Sequence, residues 1–140
     1  MSLKGPILTI DDDEDDQYLL RQVIKDLPVT NDVYAFFNGK EALHYLETTD
    51  EQPFLILCDI NMPQMDGLEL REYIIQNEYL RNKSIPFVYF TTAANPDLIR
   101  AAYNTTVQGF YQKAAEYAGL QEQIRLIIAY WQSCLHPNQP

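Results

Sequence analysis

Short apolar runs and stretches of helical period alternate along the chain. Residues 6–10, PILTI, predict a buried strand. Leu20, Val23, Ile24 and Leu27 then recur at i, i+3, i+4 and i+7, which predicts a helix over 15–27 that Pro28 ends. Residues 33–37 predict a second strand, and Asn38-Gly39 opens a short helix carrying Ala42, Leu43 and Leu46. Residues 54–58 are apolar throughout, as expected of a strand covered on both faces. A helix is predicted over 66–78 and a fourth strand over 86–90. Asn95-Pro96-Asp97 reads as a helix start, with a capping Asn, a Pro in the first turn and an acid near the positive end of the dipole. Residues 109–112 predict a fifth strand. A last helix over about 115–134 places Leu120, Ile124, Ile127 and Trp131 on its buried stripe.

Strands and helices in strict alternation predict an α/β fold, a doubly wound parallel sheet with helices on both faces. Ligands in such sheets gather at the carboxyl ends of the strands. The 140 residues are one domain's worth, and 46% hydrophobic residues suffice for a core. The expected domain spans residues 6–134, with an N-terminal extension or cloning remnant over 1–5 and a loose tail over 135–140. Neither a signal peptide nor a membrane-spanning apolar run is visible, so a cytoplasmic location and no membrane partner are expected. The formal net charge of −10 argues against nucleic acid as a partner, because phosphate binding draws on Lys and Arg. Cys58 and Cys134 are expected to be free, buried thiols, and His44 and His136 share no plausible site.

Charge changes the picture most at residues 11–16, DDDEDD, directly after the first strand. Asp11 and Asp12 stand at that strand's end, Asp59 after the third strand, Thr91 after the fourth and Lys113 after the fifth. Three carboxylates, a hydroxyl and an ammonium therefore converge on one edge of the sheet. Carboxylates so close repel one another unless a hard cation sits among them, and an all-oxygen set suits Mg²⁺. Such parts serve phosphoryl transfer, with an Asp as nucleophile. Asp13 is expected to face solvent, and Glu14, Asp15 and Asp16 to complement the dipole of the first helix. An EF-hand loop is the alternative for this run. It requires Gly where Asp16 stands and Glu where Gln22 stands, and a preceding helix rather than a strand.

The stretches ILTIDDDEDD, LILCDINMPQMDGLEL, PFVYFTTA and GFYQKA resemble the receiver domain of two-component response regulators, the CheY-like family. The resemblance covers about residues 6–134 and implies a flavodoxin-like sheet with strand order 2-1-3-4-5. It also implies roles. Asp59 would be the phosphoacceptor. Asp12 would bind Mg²⁺ directly, Asp11 through water, and Asn61 through its backbone carbonyl. Thr91 would donate to the phosphoryl group. Lys113 would pair with Asp59 before phosphorylation and with a phosphoryl oxygen after it. Phe110 falls at the family's switch aromatic, with Thr91 as the other switch residue. The implied donor is a sensor histidine kinase or a histidine phosphotransfer protein.

As a stand-alone receiver, the chain would signal by contact with a protein partner, or by self-association, through the fourth predicted helix, the fifth strand and the last helix. The chain departs from the family where Ala114 follows Lys113 in place of the usual Pro, so a trans bond is expected there. Thr92 likewise stands where a smaller residue is common. Two alternatives remain open. One is a haloacid-dehalogenase-like, Mg²⁺-dependent phosphatase with an Asp nucleophile, which wants a second acid where this chain has Asn61. The other is a degenerate receiver that serves as a scaffold.

Overall fold

The computed structural model describes residues 2–135 and 137. A 3-10 turn, Ser2–Lys4, precedes β1 (Ile7–Ile10), α1 (Glu14–Lys25), β2 (Val33–Phe36), α2 (Gly39–Thr48) and β3 (Leu55–Cys58). Then follow α3 (Gly67–Gln76), α4 (Glu78–Lys83), β4 (Phe87–Thr91), α5 (Pro96–Tyr103), β5 (Gly109–Gln112) and α6 (Tyr117–Ser133). The five strands form one sheet in the order β2-β1-β3-β4-β5, and every neighbouring pair is parallel. The predicted fold class and strand order are thus observed.

The period of two along each strand divides the core. Ile7, Leu55, Leu57, Val88 and Phe90 pack toward α1 and α6 with Leu20, Val23, Ile24, Leu120, Ile124, Ile127 and Ile128. Leu8, Ile10, Ile56, Cys58, Phe87 and Tyr89 face the other way, onto Ala42, Leu46, Leu70, Ile74, Leu80 and Ala102. The sheet is therefore covered on both sides, and its three central strands are buried throughout.

Two expectations change here, one helix and one cysteine. The helix predicted over 66–78 stops at Gln76, because Asn77 adopts an extended backbone and its side chain accepts from Leu80 N–H to start α4. Sequence reading missed that second helix. At the N-terminus, Leu3 packs against the core on the α1 and α6 side of the sheet, and Asn31 donates to the carbonyls of Leu3 and Gly5 at 3.0 and 2.7 Å. Cys58 is fully buried but Cys134 is only half-buried, because the helix ends before it; both are free thiols. His136 and most of the expected tail lie outside the described residues. No helix among the described residues is long and apolar enough to cross a membrane.

Candidate functional site

The carboxyl ends of β1 and β3 are neighbours, and their backbones set the first two acids side by side. Asp11 N–H donates to Phe36 O at 3.0 Å, and Asp59 N–H donates to Ile10 O at 2.9 Å. Sheet hydrogen bonding thus continues one residue past each strand and fixes where both side chains begin. Carboxylate oxygens of Asp11, Asp12 and Asp59 lie within 4.8 Å of one another. Asp11 is 1% exposed and Asp59 7% exposed, whereas Asp12 faces solvent at the mouth. Asp59 Oδ1 accepts from Ile60 N–H at 2.8 Å. That leaves Oδ2 as the oxygen without a backbone claim on it.

The loop after Asp59 is shaped by close approach. A β-carbon on Gly67 would lie 2.4 Å from the Asp59 carbonyl oxygen, so only glycine lets α3 begin there. Gly67 N–H donates to Ile60 O at 2.9 Å, and Asp66 caps α3 in a reciprocal box with Glu69. Gln64, between them, holds a left-handed φ of 68°, a conformation with a steric cost for any side chain. Asn61 is exposed on this loop.

Lys113 follows β5, anchored by its N–H to Thr91 O at 2.7 Å. The expected pair with Asp59 is not formed. Lys113 Nζ donates instead to Asp11 Oδ2 at 2.5 Å and to Asp16 Oδ2 at 3.0 Å. The reason is local: Asp59 is turned to Ile60, while the first turn of α1 carries Asp16 over the ammonium. Asp16, expected only to complement the helix dipole, is a partner of the site. Burial would lower the Lys113 pKa, but the carboxylates of Asp11 and Asp16 outweigh it and hold the ammonium above its ordinary range. Burial raises the Asp11 pKa, against the opposing pull of Lys113, and the nearby charge of Asp59 adds to it. The Lys113–Ala114 bond is trans, as expected. Ala114, unlike a proline, has an N–H to give: it donates to Gln123 Oε1 at 3.0 Å, and Gln123 returns a bond to Gln112 O at 2.8 Å.

Thr91 ends β4 with its side chain fully buried, and its Oγ1 has no hydrogen-bond partner among the described residues. An orphaned buried hydroxyl is costly, and it marks a place where an acceptor is missing. Thr92 beside it is exposed. Phe110 is half-buried, and its ring centroid lies 6.1 Å from that of Tyr89. The Tyr89 hydroxyl in turn lies 2.9 Å from Thr105 Oγ1, in the connection between α5 and β5. Sequence reading did not foresee that Tyr89 fills the space behind β4 next to Phe110. Cys58, one residue before Asp59, faces the core as alternation predicts, and burial pushes its thiol pKa well up.

Gln17 was also missed. It is 4% exposed on α1, and its amide is a hub. Thr9 Oγ1 donates to its Oε1 at 2.6 Å, and its Nε2 donates to the carbonyls of Thr9, Asp11 and Phe36 at 3.0, 3.1 and 2.9 Å. It ties α1 to the ends of β1 and β2 and so sets the backbone of Asp11. The signal in the sequence is a polar residue three positions before Leu20, on the apolar stripe of α1. Asp13, exposed as expected, caps that helix by accepting from Asp15 and Asp16 N–H.

The donor set fits a hard divalent cation. It consists of oxygen alone, in three convergent carboxylates, with a single ammonium held to one side.

A family model described as the response regulator receiver domain matches residues 7–125. The response regulator Rcp1 of Synechocystis sp. is 31% identical over 130 residues, covering 89% of this chain and 87% of its own. The probable methanogenesis regulatory protein FilR2 of Methanothrix harundinacea is 30% identical over 129 residues, covering 89% and 82%. Among solved structures, the Mn²⁺-bound form of response regulator Rcp1 is similar with a TM-score of 0.81 and 28% identity, covering 94% of this chain and 96% of that one. The phosphorylated cyanobacterial phytochrome response regulator RcpA is similar with a TM-score of 0.83 and 29% identity, covering 93% and 94%.

Proposed function

Because the chain belongs to the response regulator receiver domain family, we propose that it is a cytoplasmic signalling switch phosphorylated on Asp59 by a sensor histidine kinase or a histidine phosphotransfer protein. The observation that carries the reading is a buried Asp59 carboxylate beside Asp11 and Asp12, with a Thr91 hydroxyl unpartnered among the described residues at the end of the neighbouring strand β4.

An Asp59 carboxylate oxygen attacks the phosphorus of a phosphohistidine. A P–O bond forms, the P–N bond breaks, and the electron pair leaves with the imidazole nitrogen, which is then protonated. Oδ2 is the better nucleophile, since Oδ1 is engaged by Ile60 N–H. Asp11, Asp12 and Asp59, with the Asn61 carbonyl, would hold Mg²⁺, which neutralises phosphoryl oxygens. Thr91 donates its hydroxyl to one of those oxygens, which satisfies an orphan. Lys113 supplies the second positive charge by leaving Asp11. The module catalyses only its own phosphoryl transfer and slow dephosphorylation. Asn61 offers an amide where a phosphatase of the Asp-nucleophile class needs an acid, which favours the switch.

Output runs through α5, β5 and α6. Leu126 and Tyr130 are 48% and 62% exposed there, and they line a groove of about 670 Å³ with Tyr111 and Trp131. This face suits a protein partner or a second copy, and the net charge of −10 does not suit nucleic acid.

Acetyl phosphate with Mg²⁺, followed by intact mass measurement, tests the acceptor. Wild type gains one phosphoryl group and Asp59→Asn gains none; equal labelling of the variant overturns the assignment. Mg²⁺ should also raise the melting temperature, because it binds the folded site alone. At ten times its dissociation constant the gain is about 1.4 kcal/mol, or about 4 °C. Asp12→Ala should remove most of it. A wild type indifferent to millimolar Mg²⁺ rules out the metal site.

A further inference from the structure

We infer that Asp16 is a positioning residue for Lys113: it holds the ammonium on the α1 side of the pocket and sets how readily that charge passes to a phosphoryl group on Asp59. The inference rests on the phosphoacceptor reading of Asp59 and deepens it. Among the described residues, the ion pairs of Lys113 are with Asp11 and Asp16. Asp11 is one of the three carboxylates offered to a cation, and a carboxylate shared with a cation binds an ammonium less strongly. Asp16 lies outside that set, so its hold on Lys113 persists when the site is loaded. Its carboxylate then competes with the phosphoryl oxygens for the same donor.

Geometry sets Asp16 apart from its acidic neighbours. Its side chain is 29% exposed and Lys113 is 7% exposed, so the pair is shielded on the lysine side. Glu14 and Asp15, in the same turn, are exposed and make no ion pair among the described residues. The Asp13 cap and the buried Gln17 fix the first turn of α1, so Asp16 is aimed by structure on both sides of it. A cavity of about 320 Å³ opens beside the pair, lined by Asp16, Leu19, Thr92, Lys113 and Ala114. The ammonium therefore has room to swing without displacing core side chains.

A ligand shifts an equilibrium only by its differential affinity for two states. Weakening the resting state of Lys113 must then favour the state bound to a phosphoryl group. The test uses wild type, Asp16→Asn, Asp15→Asn, Lys113→Met and the double variant Asp16→Asn/Lys113→Met. The first readout is NMR of the Lys113 ammonium and its ε-carbon, without metal or phosphoryl mimic. Asp16→Asn is expected to move these signals and Asp15→Asn to leave them in place. The second readout is affinity for beryllofluoride with Mg²⁺. Asp16→Asn is expected to bind about two- to tenfold tighter, the range of a partly exposed charged pair. Asp15→Asn, which removes the same charge one residue away, should bind like wild type. In the Lys113→Met background the Asp16 substitution should have no effect.

A gain that persists without Lys113, or that Asp15→Asn reproduces, means plain charge reduction and overturns the inference. Unmoved Lys113 signals in Asp16→Asn overturn it as well. A wild type that binds no beryllofluoride refutes the phosphoacceptor reading instead, and the NMR readout still decides whether Asp16 holds Lys113.

Discussion

The two flanks of the acidic pocket are built differently. On the α1 side the buried polar groups are tied: Gln17 makes four hydrogen bonds and Lys113 has two carboxylate partners, while Asp13 caps the helix. On the β4–β5 side the Thr91 hydroxyl is buried without a partner among the described residues, and the packing between the two strands is aromatic, Tyr89 against Phe110. The tied flank holds the acids in place. The other flank has an unmet hydrogen bond and, in Phe110, a side chain without a polar anchor. The first flank supplies preorganisation, and the second has something to gain by moving.

Three substitutions break or sharpen this contrast. The largest effect is expected from Gln17→Leu. It orphans the Thr9 hydroxyl and takes a donor from the carbonyls of Thr9, Asp11 and Phe36 in a buried place, and should cost about 2–4 kcal/mol in urea unfolding. A loss below about 1 kcal/mol would mean that the hub is not what anchors α1. Next is Phe110→Ala. Trimming a half-buried aromatic should cost about 1–2 kcal/mol, less than a core Phe. It should leave Asp59 labelling nearly intact while uncoupling it from association. Sedimentation of wild type and variant, with and without beryllofluoride, measures this; an equal response in both assigns Phe110 to the core alone. The smallest change is Thr91→Val. Removing an unpartnered hydroxyl at constant shape should be neutral or stabilising, by up to about 1 kcal/mol, the opposite sign to Gln17→Leu. Beryllofluoride affinity should nonetheless fall. A destabilised Thr91→Val would show that the hydroxyl has a partner in solution.

Much of this was legible in sequence because period and position carried it. Alternation along β3 put Cys58 inward and Asp59 at the strand end, and the same logic located Asp11, Thr91 and Lys113 on one edge. What escaped was decided by side-chain direction rather than chain position. Lys113 has a long stem, so its place after β5 does not say which carboxylate it will reach. Asp16 looked like any acid in a first turn. Gln17 broke the apolar stripe of α1, a visible sign, but its partners on Thr9, Asp11 and Phe36 belong to the ends of β1 and β2, which sequence alone does not bring near it. The helix α4 escaped because Leu80 gives it little apolar period, and its start depends on the extended backbone of Asn77.

The contact between Gly67 and the Asp59 carbonyl bears on how genetics would describe this protein. Gly67 has no side chain, takes part in no chemistry and offers nothing to a partner. A methyl group there would nevertheless land 2.4 Å from the backbone of the residue on which the pocket turns. In a screen for lost signalling, Gly67→Ala would score beside substitutions of Asp59 itself, although every reactive group remained present. A map of sensitive positions would then contain two kinds of residue, those that react and those that keep clear, and only the space around each would tell them apart.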